Sequence, residues 1–316
     1  MHVGIAGEVR CVVTKADGKV KIDTGFQKNL ILNQGLDFFG GGRGSRVNGY
    51  CAIGSGNSAP VSTQTKLDAF IALTTESGTT SDYSYVDNGD NLYRMWEQNK
   101  YRFTNLDNVN ISEVGLVSTG TTSENYYLTT RALIKDSAGA PTSISVKTGE
   151  TLDIYYKIYK VIDVSDKNFV VNMLDGNGAS VPYNVTCRPI GVGQSGYHFL
   201  SGVMLTQINY SSTAFKLISE LLPITSSISS PNLNNAIAKI SGYVPSTYKK
   251  LVTFSFGLND VSSAVRGISL TDNRLYGFPY QFIFGSVEGD AAIPKTSKDT
   301  LELPFEVSWG RYEGEL

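Results

Sequence analysis

Apolar and polar residues alternate along most of this 316-residue chain, and the breaks in the alternation mark its turns. In "EVRCVVTKADGKVKIDTG", Val9, Cys11 and Val13 alternate, Asp17-Gly18 supplies a turn, and Val20 and Ile22 alternate on the return. That is the pattern of a β-hairpin. "NLILNQGLDFFGGG" changes period. Leu32, Leu36 and Phe39 recur at helical spacing, and Gly40 to Gly42 end the predicted helix. A glycine-rich loop leads to a short strand and Gly-rich turn, "YCAIGSGNSAP". "STQTKLDAFIALT" then predicts a second short helix, with Ser62 or Thr63 as N-cap and Leu67, Phe70 and Ile71 on one face. From Leu92 onward strands dominate: "LYRMWEQNKYRF", "NISEVGLVS", "YYLTTRALIKD", "SISVKT" and "TLDIYYKIYKVI". Ser137 to Ala140 turn the chain before Pro141.

After Ile162 the pattern restarts. "NFVVNMLDGNGASVPYNVTC" predicts a second hairpin around Asp175-Gly176, and "IGVGQSG" from Ile190 echoes "IGSGNSA" from Ile53. "SSTAFKLISELLP" stands as a short helix where "STQTKLDAFIALT" stood, and "SAVRGISL" where "NISEVGL" stood. "KTSKDTLELPFEV" (Lys295 to Val307) repeats "KTGETLDIYYKI" (Lys147 to Ile158). Five short matches in one order predict a tandem duplication. The second copy lacks "NLILNQGLDFFGGG" and its loop. The expected fold is mainly β: two tandem β-sandwich domains, jelly-roll-like or Ig-like, with short helices. The expected boundaries are 1–162 and 163–316, with the linker at Lys160 to Asn168. Leu152, Ile154 and Tyr156, and their twins Leu301, Leu303 and Phe305, are the expected core positions of the closing strands.

Composition supports a turn-rich β protein, with 32 Gly, 18 Tyr and abundant Ser, Thr and Asn. Charged residues are only 18% of the chain and nearly balance, at net −2, with no basic run. Nucleic acid is therefore not an expected partner. No stretch approaches eighteen consecutive apolar residues, so no membrane span is expected. "MHVGIAGEVRCVV" lacks the pattern of a secretory leader. Cys11, Cys51 and Cys187 are odd in number and widely spaced, which predicts reduced thiols.

Candidate chemistry is sparse. Gly191 to Gly196 match G-x-G-x-x-G, but "YHFLSG" follows without a helical signal, so a turn is expected rather than a dinucleotide site. His2 and His198 are the two histidines, too few for a Ser-His-Asp triad or a multi-His zinc site, and a Cys187–His198 pair is a remote nucleophile candidate. "DNGDN", Asp87 to Asn91, offers oxygen ligands but lacks the full set of a calcium loop, and reads as a turn. No two carboxylates stand out as a glycosidase pair. Asn110, Asn184 and Asn209 lie in sequons that read as coincidental. "SDYSY", "NYY" and "LYGFPYQF" carry tyrosines suited either to binding loops or to ordinary cores. No catalytic residue, metal or cofactor is expected.

"NLILNQGLDFF", "AIGSGNSAPVSTQTKLDAF", "NISEVGL" and "LTTRALIKDSAGAPTSISVKTGETLDIYYKI" together resemble virion proteins of tailed bacteriophages, over roughly residues 25–160. The resemblance carries no catalytic motif. It implies a non-enzymatic tail, collar or fibre component, located in the virion after assembly in the bacterial cytoplasm. The implied partners are other tail proteins, further copies of the chain, and a host surface polysaccharide or protein. A tail fibre or tail-tip subunit contributing to host attachment is the reading that follows. A capsid or collar decoration protein is the alternative, and a polysaccharide depolymerase fits less well because the chain has no short coil repeat. The segment "NLILNQGLDFFGGGRGSRVNG", present in one copy only, is the expected contact with a neighbouring chain.

Overall fold

Alternation becomes strand pairing over most of the molecule. The computed structural model describes residues 1–43, 46–75, 82–120, 122, 125–192, 210–211, 215–226, 237–261, 263–270 and 280–316. The first elements are β1 (His2–Thr14), β2 (Val20–Asp23), β3 (Gln27–Lys28), β4 (Leu30–Ile31), α1 (Asn33–Gly41), β5 (Tyr50–Gly54) and β6 (Phe70–Thr75). Next come β7 (Asp82–Asp87), β8 (Leu92–Phe103), β9 (Val109–Ile111), β10 (Glu113–Gly120), β11 (Tyr126–Leu128), β12 (Thr130–Leu133), β13 (Ile144–Val146) and β14 (Thr151–Asp163). Then follow β15 (Lys167–Leu174), β16 (Ser180–Pro189), β17 (Tyr210–Ser211), β18 (Phe215–Leu217) and β19 (Ile237–Ile240). β20 (Lys249–Phe256), β21 (Gly267–Leu270), β22 (Tyr280–Ser286) and β23 (Leu301–Arg311) complete the chain. The fold is mainly β, with one helix among the described residues.

A ten-stranded sheet runs β17-β19-β20-β23-β1-β14-β8-β7, with β2 and β3 also on β1. β1 and β14 pair antiparallel from Gly4↔Val161 to Thr14↔Thr151, which sets Val9, Cys11 and Val13 beside Tyr156, Ile154 and Leu152 on one apolar face. On its other side β1 pairs parallel with β23, from His2↔Ser308 to Ile5↔Arg311. Strands from before and after residue 162 thus share one sheet. The expected linker begins inside β14, and only Val164 to Asp166 separate β14 from β15.

Two smaller sheets cover this long one. A six-stranded sheet, β4-β12-β10-β5-β6 with β11 on β10, faces β14: the Tyr156 hydroxyl lies 2.7 Å from Thr130 Oγ1 and accepts from Asn29 Nδ2 at 2.8 Å. A five-stranded sheet, β15-β16-β22-β21-β18, faces β20 and β23, where Phe305 stacks on Phe282 with ring centres 4.0 Å apart. β9 and β13 form a separate pair. Buried apolar residues from both parts, Val3 and Ile154 to Phe282 and Trp309, belong to one continuous cluster. Among the expected core positions Leu152, Ile154, Tyr156, Leu301 and Leu303 are buried, and Phe305 is half-buried. No helix of the described residues is long and apolar enough to cross a membrane.

The first hairpin forms as expected, with Gly18 at φ +83°. In the second, Asp175 Oδ1 accepts from the amides of Asn177 and Ala179, and Gly178 rather than Gly176 takes the positive φ. The helix expected from "NLILNQGLDFFGGG" is α1, closed by the Gly42 amide donating to the Phe38 carbonyl at 2.7 Å.

The two other expected helices do not form. Residues 62–69 are turns and irregular chain leading into β6. The amides of Val61, Leu67, Asp68 and Ala69 donate to Gln64 Oε1, the Tyr126 hydroxyl and the Glu113 carboxylate, not to carbonyls of a helical turn. In "SSTAFKLISELLP", residues 212–214 lie outside the described residues. Phe215 to Leu217 pair with β21, and the Leu222 amide donates to Gln281. Sheet pairing has overridden helical spacing at both places.

Candidate functional site

The segments "NLILNQGLDFF", "AIGSGNSAPVSTQTKLDAF", "NISEVGL" and "LTTRALI" are scattered in sequence, and the fold draws them into two places. The first is a buried ion cluster. Glu113 opens β10 and Arg131 lies in β12; both side chains are wholly buried, and Arg131 Nε donates to Glu113 Oε2 at 2.8 Å. Burying two charges is costly unless every polar atom is used. Here they are used. Arg131 Nη1 donates to the Ser58 carbonyl at 3.0 Å and Gln64 Oε1 at 2.9 Å, and Nη2 to Asp68 Oδ2 at 2.7 Å. Glu113 Oε1 accepts from the amides of Gly56 and Ala69, at 2.9 and 2.8 Å. Asp68 is held below the usual carboxylate range, first by the Ser58 hydroxyl and also by Arg131. The cluster therefore clamps the long loop from Ser55 to Ala69 onto β10 and β12.

This clamp leaves room only for glycine at three neighbouring positions. A side chain at Gly54 or Gly56 would collide with the Glu113 carboxylate, and one at Gly115 with the Thr130 carbonyl. The loop borders a groove of mixed character, about 340 Å³, lined by polar residues such as Ser55, Asn57 and Asn110 and by Leu133 and Pro141.

The second place is α1. The helix lies over the seam where β14, β1 and β23 run side by side. Trp309 of β23 donates through Nε1 to the Leu36 carbonyl at 2.8 Å. Asp37 Oδ1 accepts from the Tyr243 hydroxyl at 2.5 Å and the Ser246 amide at 2.6 Å, and Arg311 Nη2 donates to Asn33 Oδ1 at 2.5 Å. The Tyr243 ring packs so closely on Gly40 that a Cβ there would overlap it. Lys160 of β14 is wholly buried, with Nζ 5.7 Å from the centre of the Phe39 ring, and burial brings its pKa down to about 7. The one-copy segment expected to meet a neighbouring chain thus meets the later part of its own chain.

The sequence-level candidates do not converge. His2 Nδ1 lies 3.0 Å from Ser308 Oγ, with its pKa lowered first by burial. His198, Asn209 and Gly193 to Gly196, and with them the Cys187–His198 pair, lie outside the described residues. Cys187 is buried and its thiol pushed up by burial, while Cys11 is pushed up to about 12, so at neutral pH these are thiols rather than nucleophilic thiolates. In "DNGDN", both Asp90 oxygens are taken by Arg94, whose guanidinium brings the carboxyl down to about 2. Among the described residues no three His, Cys, Asp or Glu side chains gather to hold a metal.

The tyrosines serve mainly as anchors. Tyr126 accepts from the Leu67 amide, Tyr127 donates to the Gln34 carbonyl at 2.8 Å, and Tyr280 is buried. The side chains of "SDYSY" and residues 275–279 of "LYGFPYQF" lie outside the described residues. Sequence reasoning missed Glu113, Arg131 and Trp309. For Glu113 and Arg131 the available signal was a lone charge inside an apolar strand, in "SEVGLV" and in "TRALI". No protein-family model, no curated protein and no solved structure matches this chain.

Proposed function

We propose that this chain is a non-enzymatic structural subunit of a tailed-bacteriophage virion, a tail fibre or tail-tip appendage that contributes to host attachment. In this reading it forms two tandem, duplicated β-sandwich units. Residues 1–162 dock on the particle, beside other tail proteins and further copies of the chain, and residues 163–316 reach toward a host surface polysaccharide or protein. The observation that carries the proposal is where the tail-protein pattern goes in three dimensions. Gly54, Gly56, Glu113, Gly115 and Arg131 clamp a long loop, and Asn33, Leu36 and Asp37 tie the early part of the chain to the late part. Every one of these contacts fixes shape. Such a pattern suits a rigid part of an assembly rather than a catalyst.

The test is mass spectrometry of purified virions from cells producing this chain, with gold labelling of a tagged copy. The expected result is a fixed copy number and label at the tail. Absence from particles would defeat the proposal, and label on the capsid shell would replace it with the decoration-protein alternative.

A further inference from the structure

β15 is the end strand of the five-stranded sheet. It pairs with β16 over its whole length, and among the described residues no strand pairs with its other edge. Exposed edges are usually blunted by charges, proline or a bulge. From Asn168 to Leu174 this edge has no charge and no proline, and its pairing with β16 shows no register shift. It is also apolar: Phe169 is 42%, Val170 57% and Leu174 76% exposed.

The backbone direction follows from the turn. The Asp175 amide donates to the Ala179 carbonyl at 2.9 Å, so Asp175 points its amide into the sheet. Alternation then leaves the amides and carbonyls of Asn168, Val170, Asn172 and Leu174 pointing outward. Now set the strand antiparallel to a second copy, with Val171 on the two-fold axis. Asn168 falls opposite Leu174 and Val170 opposite Asn172, so every outward residue meets an outward residue, as a hydrogen-bonded ladder requires. On the other face Val171 meets Val171 and Phe169 meets Met173. Lys167, exposed and reaching Asp163 in its own chain, falls opposite the acidic Asp175 at each end. The apolar face continues into a groove of about 520 Å³ lined in part by Val171, Met173, Leu303 and Phe305.

We propose that β15 is a self-pairing edge, through which a second copy of this chain joins the two five-stranded sheets into one. The charge match at both ends selects a second copy over an unrelated strand, and the parity lets the two backbones form a ladder. The inference rests on this edge and not on the virion reading, so either can fail alone.

The full-length chain is the material for the test, measured by sedimentation over a range of concentrations. Asn172→Pro removes an outward N–H and no bond to β16. It should raise the dimer dissociation constant about tenfold or more while leaving the melting profile of the monomer in place. Val171→Cys should give a disulfide-linked dimer under mild oxidation, because the two copies of residue 171 form a non-hydrogen-bonded pair with Cα atoms about 4.5 Å apart. Met173→Cys, opposite Phe169, should not. The native cysteines are buried and leave the readout clean. A chain that stays monomeric throughout would overturn the proposal. So would association that Asn172→Pro does not weaken, with no cross-link from Val171→Cys.

Discussion

Lys147 to Ile158 and Lys295 to Val307 are nearly the same sentence written twice, and the fold treats their beginnings alike and their surroundings differently. In each, the acidic residue before Thr-Leu accepts from the amide three positions earlier: Glu150 from Lys147 at 2.9 Å, Asp299 from Thr296 at 2.9 Å. In each, the strand that follows lies inside the ten-stranded sheet. The lysines then part company. Lys147 is exposed, whereas Lys295 is 2% exposed and donates to the carbonyls of Val261 and Thr296 at 3.1 and 2.7 Å. The strands differ too. β14 lies between β1 and β8, both antiparallel, while β23 has antiparallel β20 on one side and parallel β1 on the other. Lys160 and Trp309 stand at the same distance beyond Leu152 and Leu301, and both are buried beneath α1. Local sequence sets the turn and starts the strand. What lies over the strand decides which residues it can bury.

Cutting the chain between residues 162 and 163 should perturb both regions most severely. If β14 and β23 close separate cores, fragments 1–162 and 163–316 each unfold cooperatively. Each should be less stable than the intact chain, because the cut removes the β1–β23 pairing and bares Trp309 and α1. Two unfolded fragments from a chain that folds intact would mean one indivisible core. Next in size is Trp309→Ala, expected to cost about 3–5 kcal/mol in denaturant unfolding, as for other buried Trp truncations. Trp309→Phe keeps most of the ring contact but removes the Nε1 bond to the Leu36 carbonyl, which stays within the helical ladder, so about 0.5–1.5 kcal/mol is expected. A loss below that for Trp309→Ala would show that α1 does not hold the seam.

Strand content, both hairpins and α1 were legible because period and turn residues are local signals. The helices expected at 62–74 and 211–223 were misread for a shared reason. Their apolar spacing is helical, but their amides are claimed by residues distant in sequence, Glu113 and Tyr126 in one case and β21 and Gln281 in the other. The clamp was half-legible. Its residues fall within "AIGSGNSAPVSTQTKLDAF", "NISEVGL" and "LTTRALI", yet nothing in their spacing says that Arg131 crosses to Glu113. Trp309 carried no signal at all, since a tryptophan near a chain end reads as any strand residue.

Lys160 offers a subtler contrast with Trp309, since one position of the twin pattern holds a charge and the other an indole. Burial brings Lys160 down to about 7 from the usual 10.5, with Glu97 opposing the shift. Below pH 7 the ammonium is charged in both states, and folding bears the cost of burying it. Between about 7 and 10.5 only the unfolded chain holds the proton, so stability rises with pH, by at most about 1.4 kcal/mol per unit. Chemical unfolding from pH 7 to 9.5 should show this slope in the parent chain and a flatter one in Lys160→Met. Parallel slopes for the two proteins would mean that Lys160 keeps its proton when folded.

The smallest effect is expected at the shared turn, where the two regions are most alike. Both acids are held below their usual values: Glu150 first by the Lys21 ammonium and then by the Lys147 amide, Asp299 first by the Thr296 hydroxyl and then by its amide. A depressed carboxylate contributes stability that is complete above its unfolded pKa and is lost as pH falls through the folded one. The loss should therefore begin near pH 4.5 for Glu150 and 3.8 for Asp299, and continue below. An amide in place of either carboxylate keeps an acceptor for the turn amide but removes the proton-linked part. Glu150→Gln also breaks the 2.7 Å pair with Lys21, which in turn holds the Ser145 carbonyl at 3.0 Å and so ties β2 to the turn. Among the described residues Asp299 has no such second attachment; its partners are Thr296 and the neighbouring lysines. In acid unfolding, Glu150→Gln should consequently shift the transition more than Asp299→Asn. A larger shift from Asp299→Asn would mean that the two turns, though written alike, are held by different forces.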